Sequence, residues 1–402
     1  MHILLIHQAF AALNEPGGTR HYEMARYLAA RGHTVTVIAS PVSYLTGKSQ
    51  HSGGFFGVQE ETSDGVHILR SYTYPAWHRS FIHRVFSFLS FMISSFIAGL
   101  KIGKVDVIWG TSPPIFQGGT AWALARLKRA RFIFEVRDLW PAFAVGMGVL
   151  RNPFLISSAE WFECFLYRQA DQVVINSPGF MAHVKERGAQ RVALVANGAD
   201  PAMFDPHASG SEFRQQNHLE DKYVVLYAGA HGMSNDLAVV LEAAVKLQNF
   251  PEIRLVFLGD GKEKPALMEQ AEKMALLNVM FLPSMPKSEI SAALAGVDAC
   301  LAILKPIPLY KTVYPNKVFD YMAAARPVLL AIDGVIRIVV EEAQAGIFVP
   351  PGNAQALADA ILFLVREKDQ AVQMGWNGRR YVEEHFDRAV LAGEMEKILT
   401  SN

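Results

Sequence analysis

Short apolar runs alternate with stretches of helical periodicity from the first residues of the chain. Ile3–Ile6 predicts a strand, Gly18–Arg31 a helix and Thr34–Ala39 a second strand, with Gly32-His33 as the turn between the last two. Val105–Trp109, Phe132–Val136 and Gln172–Ile175 are further continuous apolar runs, as expected of strands buried on both faces of a parallel sheet. With helical stretches between them, the first half reads as repeated βαβ units, a doubly wound α/β domain.

The pattern then starts again. Strands are predicted at Tyr223–Ala228, Ile253–Leu258, Asp298–Leu304 and Pro327–Ala331, and helices at Asp236–Leu247, Lys262–Met274 and Lys317–Ala325. Asn197-Gly198-Ala199-Asp200-Pro201 and the polar stretch to Asp221 predict a linker. The domains expected are therefore residues 1–196, a linker over 197–221, and residues 222–379. Ligands of open α/β sheets sit beyond the carboxyl ends of the strands, so two such sheets are expected to face across a cleft.

Charge changes this picture. The chain has 402 residues with 38 Lys+Arg against 38 Asp+Glu, yet residues 1–200 hold 19 basic and 13 acidic side chains and residues 201–402 hold 19 and 25. Residues 65–134 contain nine Lys/Arg and one acid, Asp106. One face of the first half is expected to meet something anionic. A hydrophobic fraction of 51% excludes a disordered chain. Two cysteines, Cys164 and Cys300, make no disulfide framework and fit a reduced cytosolic setting. Met1 leads straight into an apolar run without a basic flank, so no secretory signal is expected.

Several motifs carry candidate chemistry. Gly17-Gly18 after Pro16, and Gly229 and Gly232 in the second half, lie between a strand and a helix, where backbone can approach a phosphate or sugar; ordinary tight turns use glycine in the same way. Asn316 predicts a helix N-cap, with Lys317 in the first turn and Asp320 on the same face. A diphosphate there would meet free N–H groups, the positive helix end and the Lys317 ammonium together; the other reading is an exposed Lys317–Asp320 pair. Arg137-Asp138 follows a strand as a phosphate- or sugar-orienting pair, or as an internal ion pair. No P-loop motif occurs, and Gly146-Met147-Gly148 never completes a dinucleotide fingerprint. No Asp-x-Asp motif or metal-spaced His/Cys/Glu cluster occurs, so no metal site is expected.

Taken in order, these landmarks resemble the retaining GT-B glycosyltransferases of the large group 1 class, family 4. Pro16-Gly17-Gly18 opens the first helix, and Arg31-Gly32-His33-Thr34-Val35-Thr36-Val37 is similar to the family's turn into the second strand. Asn197-Gly198-Ala199-Asp200, Leu258-Gly259-Asp260-Gly261 and Ala345-Gly346-Ile347-Phe348-Val349-Pro350-Pro351-Gly352 match three further landmarks. Pro315-Asn316-Lys317-Val318-Phe319-Asp320-Tyr321-Met322-Ala323-Ala324-Ala325-Arg326-Pro327 resembles the variant found in transferases that build lipid-linked bacterial surface glycans. Where many members have two glutamates, Thr312 and Asp320 stand here. Where most have an Arg and a Lys gripping the donor diphosphate, Ala230 and Asn235 stand, and Arg137-Asp138 replaces a common His-Asp.

The resemblance implies a GT-B fold with the donor on the second domain and the acceptor on the first. It also implies a C-terminal helix, Ala389–Leu399 within 380–402, packed back on the first domain. Donor-side candidates are Gly17, Gly18, Gly229, His231, Gly232, Ser284, Met285, Asn316, Lys317 and Asp320, with Lys317, Arg137 and Asp138 at the chemistry. His231 is read as a cleft-wall residue rather than a base. Acceptor-side candidates are Arg20, His21, Ser112 and Asn176.

The most apolar segment is 81–100, with 16 uncharged residues from Val85 to Leu100 and a stripe of His83, Ser87, Ser90 and Ser94. It is short of the ~20 residues that span a bilayer. Either it is a core helix, or it lies in an anionic interface with Arg79, Arg84, Phe86, Phe91, Lys101 and Lys104 toward the membrane. No recognition motif for nucleic acid accompanies the basic residues.

The function expected is sugar transfer from a nucleotide diphosphate, UDP above others, to a lipid-linked saccharide, with retention, without metal and with no cofactor beyond the donor. The chain is expected at the cytoplasmic face of the membrane. A UDP-sugar 2-epimerase of the same fold and a non-catalytic sugar-nucleotide-binding protein are the rival readings.

Overall fold

The continuous apolar runs are strands because each lies between helices and is buried on both faces. The computed structural model describes residues 1–15, 17–42, 57–75 and 81–401, apart from the side chains of Phe81 and Ile82. Pro16 and Arg79, both named above, lie outside the described residues. The chain divides into two units, one of Met1–Ala12, Gly17–Ala196 and Ala389–Asn402, the other of Leu13–Pro16 and Asn197–Arg388.

The first unit holds β1 (His2–Ile6), β2 (Thr34–Ala39), β3 (Val58–Ser63), β4 (Val66–Ser71), β5 (Val107–Ser112), β6 (Arg131–Val136), β7 (Gln172–Ile175) and β8 (Val192–Leu194). They form one sheet in the order β3-β4-β2-β1-β5-β6-β7-β8, parallel except for the β3–β4 pair. That hairpin turns on Asp64-Gly65, both at positive φ, as a two-residue turn needs. The strand predicted at Val105–Trp109 runs instead from Val107 to Ser112, which carries Thr111 and Ser112 inside its carboxyl end.

The second unit holds β9 (Tyr223–Ala228), β10 (Ile253–Leu258), β11 (Val279–Leu282), β12 (Ala299–Ile303), β13 (Val328–Ala331) and β14 (Gly346–Phe348), all parallel, in the order β11-β10-β9-β12-β13-β14. Residues 197–221, read above as a linker, fold into this unit: Phe204, Phe213 and Leu219 are buried in its core. Their apolar side chains are spaced too widely for periodicity to show them.

The return to the first unit begins at Ala389 rather than near 380, since the helix Lys368–His385 belongs to the second. Glu396 on the last helix, Arg388–Thr400, takes His33 Nε2 at 3.0 Å and Arg31 Nε at 3.4 Å. The turn motif around Gly32 is thus also the seat of the C-terminal helix.

The helix Phe81–Lys101 corrects the reading of its serine stripe. Ser87, Phe91, Ser94, Ser95 and Ala98 face inward and are buried. Ser94 Oγ donates to Tyr72 O at 2.6 Å, and Ser90 Oγ accepts from Tyr74 N at 2.9 Å. The polar face therefore satisfies the backbone that leaves β4, and Phe91, placed above toward a membrane, is core. Phe86, Ile93 and Leu100, seven residues apart, are 58%, 48% and 49% exposed on the outside. Lys101 and Lys104 are exposed at the end, while Arg84 is half-buried.

Candidate active site

In the first sheet the direction of winding reverses between β1 and β5, the place where open α/β sheets receive ligands. His7 follows β1, Thr111 and Ser112 close β5, Arg137 and Asp138 follow β6, and Asn176 follows β7. Beneath them Glu135 is wholly buried. It accepts from Arg20 Nε at 3.1 Å, His21 Nε2 at 2.8 Å and Trp109 Nε1 at 3.0 Å. Arg20 also donates to Val195 O and Ala196 O at 2.7 and 2.6 Å. Arg20 and His21, expected on the acceptor side, are thus buried supports of Glu135.

Burial would raise the Glu135 carboxyl, but His21, Arg20 and Arg137 outweigh it and hold it well below the usual carboxylate range. Burial lowers His21 to about 4 despite that carboxylate, so at pH 7 it is a neutral donor. His7 stacks on His21 with ring centroids 4.0 Å apart. Arg137 Nη1 approaches His7 Nε2 at 3.0 Å, and no ion pair joins Arg137 to Asp138 among the described residues. The internal pair considered above is not formed, because the guanidinium goes to the imidazole. The Asp138 carboxyl is pushed up to about 6 by burial, which Arg137 only partly offsets. Ser112 and Asn176 are almost fully buried at the strand ends. A Cβ on Gly17 would stand 2.9 Å from that of Ala11, whereas Gly18 borders open space.

In the second sheet the reversal falls between β9 and β12, beside the loop 229–232. Ala230 O accepts from Tyr227 Oη at 2.7 Å and Asn235 Nδ2 at 3.0 Å, so those two side chains pin the loop. The Lys317 ammonium lies 3.9 Å from the centroid of the Tyr227 ring. A Cβ on Gly229 would stand 2.7 Å from that ammonium, so a side chain there would displace it. Burial lowers the Lys317 ammonium to about 7.

Three expectations change here. The N-cap is Pro315; Asn316 is the first residue of the helix Asn316–Ala323 and its Oδ1 lies 3.5 Å from Arg388 Nη2. Extended Pro315 already ends the preceding chain, which leaves the Asn316 side chain outside the capping position. Asp320 pairs with Lys287 at 2.5 Å rather than with Lys317. His231, placed above on a cleft wall, is fully buried among Tyr227, Phe257 and Phe281. Its ring nitrogens have no hydrogen-bond partner among the described residues, and burial, then Lys264 and Lys317, lowers it to about 4. Ser284 and Met285 lie just past β11, half-buried, with Met285 against the core.

Residues 209–381 match the family described as glycosyl transferases group 1, and residues 17–198 match the glycosyl transferase 4-like domain. The chain belongs to the group 1 glycosyltransferases. It is 27% identical, over 75% of its length and 76% of its relative's, to WcaI of Escherichia coli, a glycosyl transferase assigned to colanic acid biosynthesis. Its fold matches sucrose-phosphate synthase from Thermosynechococcus elongatus with a TM-score of 0.78 at 19% identity, over 99% and 98% of the two chains. It also matches Anabaena HepE in complex with UDP-glucose, with a TM-score of 0.72 at 16% identity over the full length of both. These structural matches establish the GT-B fold.

Several residues of this glycosyltransferase escaped the sequence reading. His7 follows a strand's carboxyl end and was findable on that ground alone. Tyr227, Lys287 and Lys264 were not. Lys264 Nζ donates to Gly259 O and Leu282 O, both at 2.8 Å, tying the ends of β10 and β11. No group of three metal-ligating side chains stands together among the described residues.

Proposed function

We propose that this glycosyltransferase moves a sugar from a UDP-sugar to a lipid-linked saccharide acceptor, with retention and without a metal ion, at the inner face of the cell membrane. The observation that carries the reading is Lys317, a cation held in the first turn of the helix Asn316–Ala323 above Gly229. A donor diphosphate at that helix end gains the N–H groups, the dipole and the ammonium at once. Asp320, one turn on, accepts the ribose hydroxyls, and Ser284 and Met285 meet the base.

In the first unit Arg137 and Asp138 serve the acceptor. Departure of the diphosphate leaves an oxocarbenium-like sugar, and the leaving phosphate takes the proton of the attacking hydroxyl. The outward row of Phe86, Ile93 and Leu100, with Lys101 and Lys104 beside it, suits an anionic lipid surface. Relatives assigned to colanic and teichuronic acid synthesis support a surface-glycan acceptor.

A panel of UDP-sugars with bacterial lipid extract, read by product formation in EDTA and by NMR of the new anomeric centre, tests the reading. Transfer from one donor that persists in EDTA and keeps the anomeric configuration is expected, and is lost in Lys317→Ala. Unchanged turnover in Lys317→Ala overturns the donor site.

A further inference from the structure

Arg137 has no carboxylate partner among the described residues, yet its guanidinium is not loose. Nη1 lies 3.0 Å from His7 Nε2 and 3.4 Å from His7 Nδ1. An atom in the ring plane at those two distances would overlap the ring's own carbons, so Nη1 rests over the imidazole face. A cation is attracted to such a face while the ring is neutral. Thr111 secures the ring's edge. Its Oγ1 accepts from Gln117 Nε2 at 2.8 Å and lies 2.7 Å from His7 Nδ1, while its own proton is directed to Ile6 O. His21 stacks on the same ring and is itself held by Glu135. Burial, with His21 and Arg137 beside it, holds His7 well below its ordinary pKa, so the ring stays neutral.

An arginine carries five N–H donors in a rigid fork matched to phosphate oxygens. Only Nη1 is engaged by the protein, among the described residues. The rest of the fork stands at the winding reversal of the first sheet, where an open α/β sheet takes its ligand.

We propose that His7 is a positioning residue: its ring, backed by His21 and secured by Thr111, is the platform that presents the Arg137 guanidinium to a phosphate of the substrate. This rests on the reading of the first unit as the acceptor-binding half. Two phosphates have the required chemistry, the diphosphate that anchors a lipid-linked acceptor and the diphosphate of the donor.

Calorimetric titration of the full chain with farnesyl diphosphate and, separately, with UDP distinguishes them. His7→Leu fills the volume without a π face, and His7→Phe keeps the face while losing both nitrogens. Arg137→Ala and His7→Leu are each expected to weaken one probe about tenfold, the scale of a single charge-assisted hydrogen bond. His7→Phe is expected to recover most of that loss, and His7→Leu is expected to add nothing in the Arg137→Ala background. Melting curves confirm that each variant is folded.

Loss confined to farnesyl diphosphate assigns the acceptor phosphate, and loss confined to UDP assigns the donor's; either supports the platform. Equal weakening by His7→Leu with and without Arg137 overturns it, as does an Arg137→Ala chain that binds both probes normally. A wild-type chain that binds neither probe refutes the donor and acceptor reading itself, independently of the variants.

Discussion

The Lys317 ammonium sits over the Tyr227 ring, 3.9 Å from its centroid, in a space that a side chain at position 229 would fill. Burial at this place lowers the ammonium to about 7, against ~10.4 in an unfolded chain. Below pH 7 both states carry the proton and the penalty for burying charge is complete. Between about 7 and 10 the folded protein binds fewer protons than the unfolded, so stability rises with pH. Lys317→Met is therefore expected to melt higher than wild type by several degrees at pH 6, at ~2–4 °C per kcal/mol. The gap should narrow toward pH 10 in calorimetric scans. A constant gap would contradict the lowered ammonium.

Binding of UDP should restore that proton, because a diphosphate favours the charged ammonium. Proton uptake is expected above pH 7, seen as a dependence of the binding heat on the buffer's ionisation enthalpy. Affinity should fall with rising pH by at most about tenfold per unit. Lys317→Met should abolish both the uptake and this slope.

Asp320 is held by Lys287, so its carboxylate is already oriented before any ligand arrives. Asp320→Asn is expected to weaken UDP about tenfold, as loss of a charged acceptor to ribose would. Inorganic diphosphate should bind the variant as it binds wild type. Equal losses for both ligands would move Asp320 from the ribose to the phosphates.

Glu135 answers for stability rather than chemistry. Glu135→Gln leaves the buried Arg20 guanidinium without its carboxylate, and removing one member of a buried pair costs about 3–5 kcal/mol. A urea midpoint lower than that of the wild type is expected.

The two faces of the helix Phe81–Lys101 should separate cleanly. Serine at Phe86, Ile93 and Leu100 together is expected to abolish flotation with anionic liposomes while leaving the melting temperature within a few degrees. Phe91→Ala should instead destabilise the fold by about 3–5 kcal/mol, because the ring is in the core.

The contrast in that helix shows what the sequence could convey. Periodicity placed Ser87, Ser90 and Ser94 on one stripe, but not that the stripe turns inward to meet Tyr72 and Tyr74. Central parallel strands such as β1 and β9 were legible, since burial on both faces leaves a continuous apolar run. The β3–β4 hairpin was not, because its edge strand carries Gln59, Glu60 and Glu61 among its few apolar positions. At the site, the first-turn place of Lys317 followed from local spacing. Its partner Tyr227, and the pairings of Glu135 with Arg20 and Asp320 with Lys287, join residues distant in the chain, which no local pattern reports.

The seat of Glu396 against His33 has a consequence for biosynthesis. On the ribosome the residues of the first sheet emerge early, yet the helix that completes their unit emerges after the whole second unit. Until then the surface around Arg31 and His33 waits uncovered, available to a chaperone. A stop codon near position 388 would thus injure the half of the molecule that was translated first.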